Sequence, residues 1–515
     1  MKGDRPDPDA SRRLAPELIV IPGLKLLIHL VTSGGYGYFR DEFYYIACSE
    51  RLAFGYVDHP PLSIALLWLS RNLFGDSLLA LRLFPAIAGG LTVLLAGWIA
   101  GALGGGRFAR ILAMTATLVA PIYLALDHFY SMNAFDLLAW STAAYILVRL
   151  LRGESARLWI LLGIVLGAGL LNKISVLWLG FGLLVGILVT SRRRWLLTPW
   201  PWVAGGIAGL LFAPHILWQI QNGWPTLEFV QNASTQKMVA VAPLDFIVQQ
   251  VTMMNPITLP LWLAGLGFLL FGREGRPYRI LGWVYLTVFL ILVLSGSSRP
   301  GYLSPAYVWL FAAGGRAWEE WIRRWGMPYL KEASVTLIAM AGLVLAPMAL
   351  PILPVETYIA YSRSLGFAPS TSERKNLAEL PQFYADMHGW DAIVRSVADA
   401  YESLTPGDRA AAAVFTFNYG EAGAIEFLGR DRDLPPALSG HNNYWLWGPR
   451  ASTGAVVIVI GSTRERLERR FESVERVGTT SCGYCMPYEN DQPIWIGRNL
   501  RVPFDELWPD LKHFD

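Results

Sequence analysis

Charge is scarce in this sequence. Asp, Glu, Lys and Arg supply 16% of the 515 residues and hydrophobic residues 53%. Soluble domains carry roughly 25% charged residues, so an ordinary soluble protein is excluded. The formal net charge of +3 is too small and too dispersed to indicate a nucleic-acid partner. Cysteine is nearly absent too: Cys48, Cys482 and Cys485 are the only three. A structural zinc site usually takes four ligands, and no second pair accompanies the C-G-Y-C spacing of Cys482–Cys485. A disulfide or two free thiols remain for that pair. No small-residue cleavage site follows Arg12 and Arg13 convincingly, so the first apolar run reads as an uncleaved anchor.

What the chain does have is apolar length. Hydrophobic runs recur from residue 17 to residue 353, several of them near the roughly 20 residues that a helix needs to cross a bilayer. The predicted spans are 17–33, 79–103, 109–126, 134–151, 157–173, 175–191, 200–221, 244–271, 280–296, 302–322 and 333–353. After Pro354, charges, glycines and turn residues return. The expected fold is a polytopic α-helical membrane domain over 1–353, with about eleven transmembrane helices, and a soluble α/β domain over 354–515. Lys25 falls inside the first span, where a charge is costly in lipid, so it should face the bundle or lie near the interface.

Basic residues orient the spans. One set of connections holds Lys2, Arg5, Arg12, Arg13, Arg107, Arg110, Arg149, Arg152, Arg157, Arg192, Arg193, Arg194, Arg273, Arg276, Arg279, Arg316, Arg323, Arg324 and Lys331. The alternate set holds Arg40, Arg51, Arg71, Arg82, Lys173, Lys237 and Arg299. Nineteen against seven predicts a cytoplasmic N-terminus and, with eleven crossings, a C-terminal domain outside. Residues 61–78 would invert every later loop if they crossed; they are predicted to form an amphipathic helix on the outer surface. Gly34 to Ser77 is then one external loop with juxtamembrane helices. Outside the cytoplasm, Cys482 and Cys485 are expected to be disulfide-bonded.

On this topology the unusual polar residues converge on one face. Asp41, Glu42, Asp58 and His59 lie in the first external loop, and Asp127, His128, Asn133 and Asp136 at the second. Lys173 sits at an outer hairpin, Arg299 and Tyr302 in SGSSRPGYLSP, and Gln219–Lys237 forms a further external loop. Carboxylates beside a cavity can act as a general base or bind metal, while Lys, Arg and His can hold phosphate. Such a set suits a reaction on a phosphorylated lipid. Each residue also has a structural alternative: Asp136 and Lys173 as an internal ion pair, Asp127 and His128 as a helix end, Arg299 snorkelling to headgroups. In the C-terminal region AAVFTF and AVVIVIG read as buried strands, and YGEAGAIEFLG and TRERLERRFESVERV as helices. The SGHNNYWLWGP loop, rich in amides and aromatics, suits either sugar recognition or a packed core edge.

The order of these elements is familiar. A D-E pair (Asp41-Glu42) follows the first span, D-H-P-P (Asp58–Pro61) comes about 17 residues on, then N-x-x-D (Asn133–Asp136) and an N-K hairpin (Asn172-Lys173). Over roughly residues 17–320 this resembles the GT-C glycosyltransferases, in particular the protein mannosyltransferase and lipid A aminoarabinose transferase type, glycosyltransferase family 39 and its bacterial relatives. The resemblance implies a bacterial-type inner or plasma membrane enzyme. It would transfer a sugar from a polyprenyl-phosphate donor to a lipid, glycan or protein acceptor on the non-cytoplasmic face, with inversion. Asp41 would be the catalytic base, with Glu42 beside it. The aminoarabinose enzymes commonly carry Lys where His59 stands, and an Arg where Tyr44 stands. The resemblance makes Asp58, His59, Asp136, Lys173, Arg299 and Tyr302 candidate substrate-binding residues, and phosphate binding rests more on Lys173, Arg299 or a divalent metal, for which Asp41, Asp58 and His59 are the candidate ligands. No other cofactor is implied. The rival readings are a transporter or flippase of a lipid-linked substrate, for which no internal repeat is evident, and a non-catalytic membrane scaffold, which leaves the acid cluster unexplained.

Overall fold

The computed structural model describes residues 15–515; Lys2, Arg5, Arg12 and Arg13, used for the orientation, lie outside the described residues. Helices follow one another almost without interruption to Leu345. In chain order they are α1 (Glu17–Thr32), α2 (Arg40–Ser49), α3 (Leu62–Phe74), α4 (Leu78–Ala102), α5 (Arg107–Val119), α6 (Pro121–Leu126), α7 (Met132–Leu151) and α8 (Leu158–Asn172). There follow α9 (Val176–Leu188), α10 (Trp200–Gln221), α11 (Pro225–Asn232), α12 (Pro243–Met253), α13 (Leu259–Phe271), α14 (Arg279–Ser295), α15 (Tyr307–Trp325) and α16 (Leu330–Leu345). Every predicted span falls on a helix or a pair of helices. Among the described residues, five helices are long and apolar enough to cross a membrane, or up to seven if each of two bent pairs is one span. One predicted span, 244–271, is broken: α12 and the segment from Pro256 meet at 98°. Pro256 has no N–H for the ladder and Asn255 adopts φ +67°, so one continuous helix cannot form there.

Segment 61–78 forms α3, and its faces are inverted relative to a soluble helix. Ser63, Ile64, Leu67 and Ser70 are buried, while Trp68, Leu73 and Phe74 are exposed. Lys25 faces the bundle: it is fully buried, its Nζ 2.9 Å from Asp127 Oδ2 and 3.0 Å from the Tyr123 carbonyl. Glycine at position 89 leaves room for this pair, since a Cβ there would stand 2.5 Å from Asp127 Oδ2. Asp127 therefore does more than end α6. The arginine-bearing connections gather at the opposite end, where Arg152 reaches the Ala102 carbonyl at 3.4 Å, Arg192 that of Leu151 at 3.0 Å, and the Gly106 N–H donates to Glu319 at 2.6 Å.

Among the described residues the strands all lie in the C-terminal region: β1 (Ala412–Thr416), β2 (Ala437–Ser439), β3 (Val456–Ile460), β4 (Phe471–Thr479) and β5 (Pro493–Leu500), in sheet order β2-β1-β3-β5-β4. The first three are parallel; β5 and β4 are antiparallel additions. Alternation along the strands splits the core. Val414, Ile458 and Ile496 face helices Trp390–Glu402 and Tyr419–Leu428, while Phe415, Val457 and Trp495 pack with Phe504 and Trp508 on the other side. The helix predicted from TRERLERRFESVERV stops after Arg464–Glu468, and the rest is β4. Pairing with β5 from Phe471 to Thr479 satisfies that backbone, and an exposed edge strand tolerates its charges. Cys482 and Cys485 are joined in a disulfide.

One hydrophobic core links the two regions. Phe43, Tyr44, Ile46 and Cys48 of α2 pack with Ala422, Ile425, Val414 and Trp390 of the sheet region. The helix Tyr419–Leu428 presses so closely on α2 that a Cβ at Gly423 would stand 2.8 Å from Phe43 Cβ. The interface runs on through a 2.8 Å hydrogen bond from the Val57 N–H to Asn443 Oδ1, so the amide-rich loop packs against the first loop.

Candidate functional site

After α1 the chain reverses through Tyr36 (φ 60°) and Gly37 (φ 91°), so the first turn of α2 presents Arg40, Asp41 and Glu42. Successive helical residues diverge by about 100°, which separates the two carboxylates. Glu42 is fully buried and completely paired. Arg82 grips it with two bonds (Nε–Oε1 2.9 Å, Nη2–Oε2 2.7 Å), and the N–H groups of Phe39 and Tyr130 donate at 2.8 Å each. The remaining Arg82 donors reach the carbonyls of Ser33 (2.6 Å) and Gly37 (2.8 Å). Asp41 is the open member: its side chain is 33% exposed, Oδ1 accepts 2.9 Å from Tyr419 Oη, and Arg40 Nε lies 3.4 Å away.

Beside it lies a cavity of about 130 Å³ whose lining includes Arg40, Lys237, Glu373, Arg374, Lys375 and Tyr419. Lys237 ends a five-residue π-helical turn (Ala233–Lys237), a distortion common at functional sites. Arg299 joins from the next outer loop, 3.1 Å from Glu373 Oε1 and within the electrostatic reach of Asp41. Glu373 also faces Arg40 at 3.6 Å and Lys237 at 3.9 Å. Burial pushes its carboxyl up, but Arg40, Lys237 and Arg299 outweigh that and hold it down at about 2. Behind Arg40 the sheet region supplies acids of opposite character. Burial raises Asp386 to about 7, although Arg40 Nη1 stands 3.7 Å away, and burial raises Glu421 to about 7.

The other predicted residues divide. Asp58 accepts 2.9 Å from Tyr44 Oη, and Tyr44 stacks 4.7 Å from Tyr419, so Asp58 connects to Asp41 through two tyrosines. His59 is fully buried among the rings of Tyr45 (4.7 Å), Tyr56 (4.9 Å) and Tyr44 (5.9 Å), and its Nε2 stands 3.8 Å from Asp58. In this arrangement no face of the ring is open to a ligand. Lys173 and Asp136 do form the internal pair, at 3.4 Å, with Lys173 Nζ donating to Asn133 at 2.8 Å and Ser175 to Asp136 at 2.8 Å. Lys173 also lies 5.0 Å over the ring of Tyr302, whose N–H bonds the Arg299 carbonyl, so this pair borders the same group.

Asp41, Asp58 and His59 do not converge as metal ligands. Among the described residues, the grouping close enough for an ion is His441, His513 and Asp515. It suits one poorly. Both ring nitrogens of His513 face carbonyl oxygens, of Leu511 (3.1 Å) and Phe417 (3.0 Å), and Lys237 and Arg40 add positive charge nearby.

Sequence reasoning missed Arg40, Lys237, Glu373, Arg374, Lys375 and Tyr419. Arg40 and Lys237 had been counted only as orientation markers. Their signal was that basic residues are rare on that face and two of the seven flank predicted site segments. Nothing local marks Tyr419 or Glu373, which reach the site only through the packing of the sheet region on α2.

Comparison with known proteins places this architecture. Residues 58–218 match the family model described as dolichyl-phosphate-mannose-protein mannosyltransferase. No curated protein sequence matches the chain significantly. The crystal structure of ArnT from Cupriavidus metallidurans in the apo state is similar over 93% of this chain and 98% of that one, with 16% identity and a TM-score of 0.59. The same protein bound to undecaprenyl phosphate gives 15% identity and 0.57, over 94% and 98%. The Archaeoglobus fulgidus oligosaccharyltransferase, tethered to an acceptor peptide, matches over 82% of this chain and 64% of its own, at 13% identity and 0.50. The chain has the fold of the GT-C glycosyltransferase superfamily.

Proposed function

We propose that this chain is an integral-membrane, inverting glycosyltransferase, using a sugar linked to a polyprenyl phosphate as donor and a lipid, glycan or protein as acceptor. The observation that carries the reading is a partly exposed carboxylate, Asp41, whose partners Arg40 and Tyr419 line a cavity where cations outnumber acids. In the reaction Asp41 takes the proton of the acceptor's hydroxyl or amine. The acceptor atom bonds to the anomeric carbon, the bond from that carbon to the phosphate oxygen breaks, and its electron pair leaves with the phosphate. Arg40, Lys237 and Arg299 stabilise the charge that collects there. Tyr419 orients the base, and Glu42, fully occupied by Arg82, holds the turn that carries it. Lys173, paired with Asp136, borders the phosphate site through Tyr302. No step is routed through a metal; loss of activity on chelation, restored by added metal, would show that one is needed.

Several observations support the setting. A protein of this fold binds undecaprenyl phosphate. The exposed apolar face of α3 suits a helix lying on the lipid surface. With the eleven crossings expected from the sequence, the arginine bias would set the site and the sheet region outside the cytoplasm. A transporter or flippase would use polar groups along a path between the two ends; here they cluster at one. The test is sugar transfer by purified protein. Asp41→Asn should lose ~10²–10⁴-fold in turnover while remaining folded, and near-normal turnover would sink the assignment.

A further inference from the structure

We propose that Glu373 tunes the phosphate site toward the singly charged phosphodiester of the donor and against the doubly charged monoester left after transfer, easing release of the spent carrier. This rests on the reading of the cavity as the donor-phosphate site.

The geometry sets Glu373 apart from a surface counter-ion. It is 3% exposed, and a single oxygen, Oε1, meets all three cations: Arg299 at 3.1 Å, Arg40 at 3.6 Å and Lys237 at 3.9 Å. Its other oxygen is buried without a hydrogen-bond partner. The backbone is fixed from both sides. Arg374 donates its N–H to the Lys237 carbonyl at 2.9 Å, Val239 to that of Ser372 at 3.1 Å, and Glu373 to Thr371 Oγ1 at 2.9 Å. A carboxylate is thus fixed among three phosphate-binding cations, although it weakens the attraction they exert on any anion.

The reaction gives that subtraction a use. Breaking the bond between the anomeric carbon and the phosphate oxygen converts a diester carrying one negative charge into a monoester carrying up to two. Coulomb attraction is linear in ligand charge, so three bare cations would hold product more tightly than donor. Glu373 lowers the local positive excess by one further charge, beside Asp41 at 3.4 Å and Asp386 at 3.7 Å from Arg40. Its effect on the monoester is twice, in free energy, its effect on the diester, so a tenfold change for one corresponds to about threefold for the other.

The experiment is direct binding to the full-length purified protein in detergent at pH 8, comparing a short polyprenyl monophosphate with its methyl diester. Glu373→Gln should tighten the monoester by about tenfold and the diester by about threefold. A second variant, Arg299→Gln, should shift both in the opposite sense with the same ratio. In transfer assays Glu373→Gln should slow later turnovers more than the first. Equal changes for the two lipids, or weaker binding of both by Glu373→Gln, would overturn the proposal while leaving the phosphate site standing. Failure of the unmodified protein to bind either lipid would overturn the site itself.

Discussion

Two groups of buried charge occupy this molecule, and they are built to different rules. Three buried pairs within the helices are matched one to one: Lys25 with Asp127 at 2.9 Å, Arg82 with Glu42 at 2.7 Å, Lys173 with Asp136 at 3.4 Å. At the cavity one carboxylate, Glu373, meets three cations, and Arg374 and Lys375 add more along the rim. A matched pair satisfies itself and leaves nothing for a ligand. A surplus of one sign in a partly enclosed space is satisfied only when an anion arrives. The same distinction separates the neighbours Glu42 and Asp41: the first is fully spoken for, and the second keeps an open side.

The comparison can be broken most severely at a matched pair. Arg82→Ala strands Glu42 in the interior and should cost about 3–5 kcal/mol, seen as a large fall in thermal midpoint. Arg299→Gln, removing a surplus cation that is 37% exposed, should leave the midpoint almost unchanged while weakening lipid-phosphate binding. If the two variants melt alike, matched and surplus charges are not distinct classes.

A pH series sharpens it next. Glu421, raised to about 7 by burial, stabilises the fold while protonated. With the folded pKa above the unfolded one, that contribution is complete below about 4.5 and is lost as pH rises through about 7. Glu421→Gln should therefore be the more stable protein at pH 8, by up to about 3 kcal/mol, with no advantage near pH 4.5. Equal midpoints at both pH values would contradict the assignment.

A smaller change lies at the contact between the regions. Gly423→Val drives a side chain into Phe43, costing about 1–3 kcal/mol, and pulls Tyr419 from Asp41. Turnover should fall well beyond what the melting shift implies, and unaltered turnover would show that Tyr419 has no hold on the base. The smallest effect is expected at the disulfide. Cys482 and Cys485 should resist alkylation until reduced, and labelling of both without reductant would contradict the bond.

What could be read in the sequence followed what is local. Apolar length located the helices, and the D-E pair drew attention to Asp41, because both signals lie in consecutive residues. Residues joined by distant packing stayed hidden: Tyr419 reaches Asp41 across 378 positions, and Glu373 reaches Arg299 across 74. His59 misled because its sequence neighbours suggested a ligand, while burial by three tyrosines is invisible in a linear motif. The sequence FESVERV carries charges at spacings that fit a helix, and only its partner β5 made it a strand.

The central claim is that surplus cations hold a lipid phosphate beside an open carboxylate. A structure of this chain with a short polyprenyl phosphate tests it most directly. The account predicts the phosphate within hydrogen-bond reach of at least two of Arg40, Lys237 and Arg299, on the side to which Asp41 is open. A phosphate bound elsewhere, at the arginine-rich end or among the matched pairs, would contradict it.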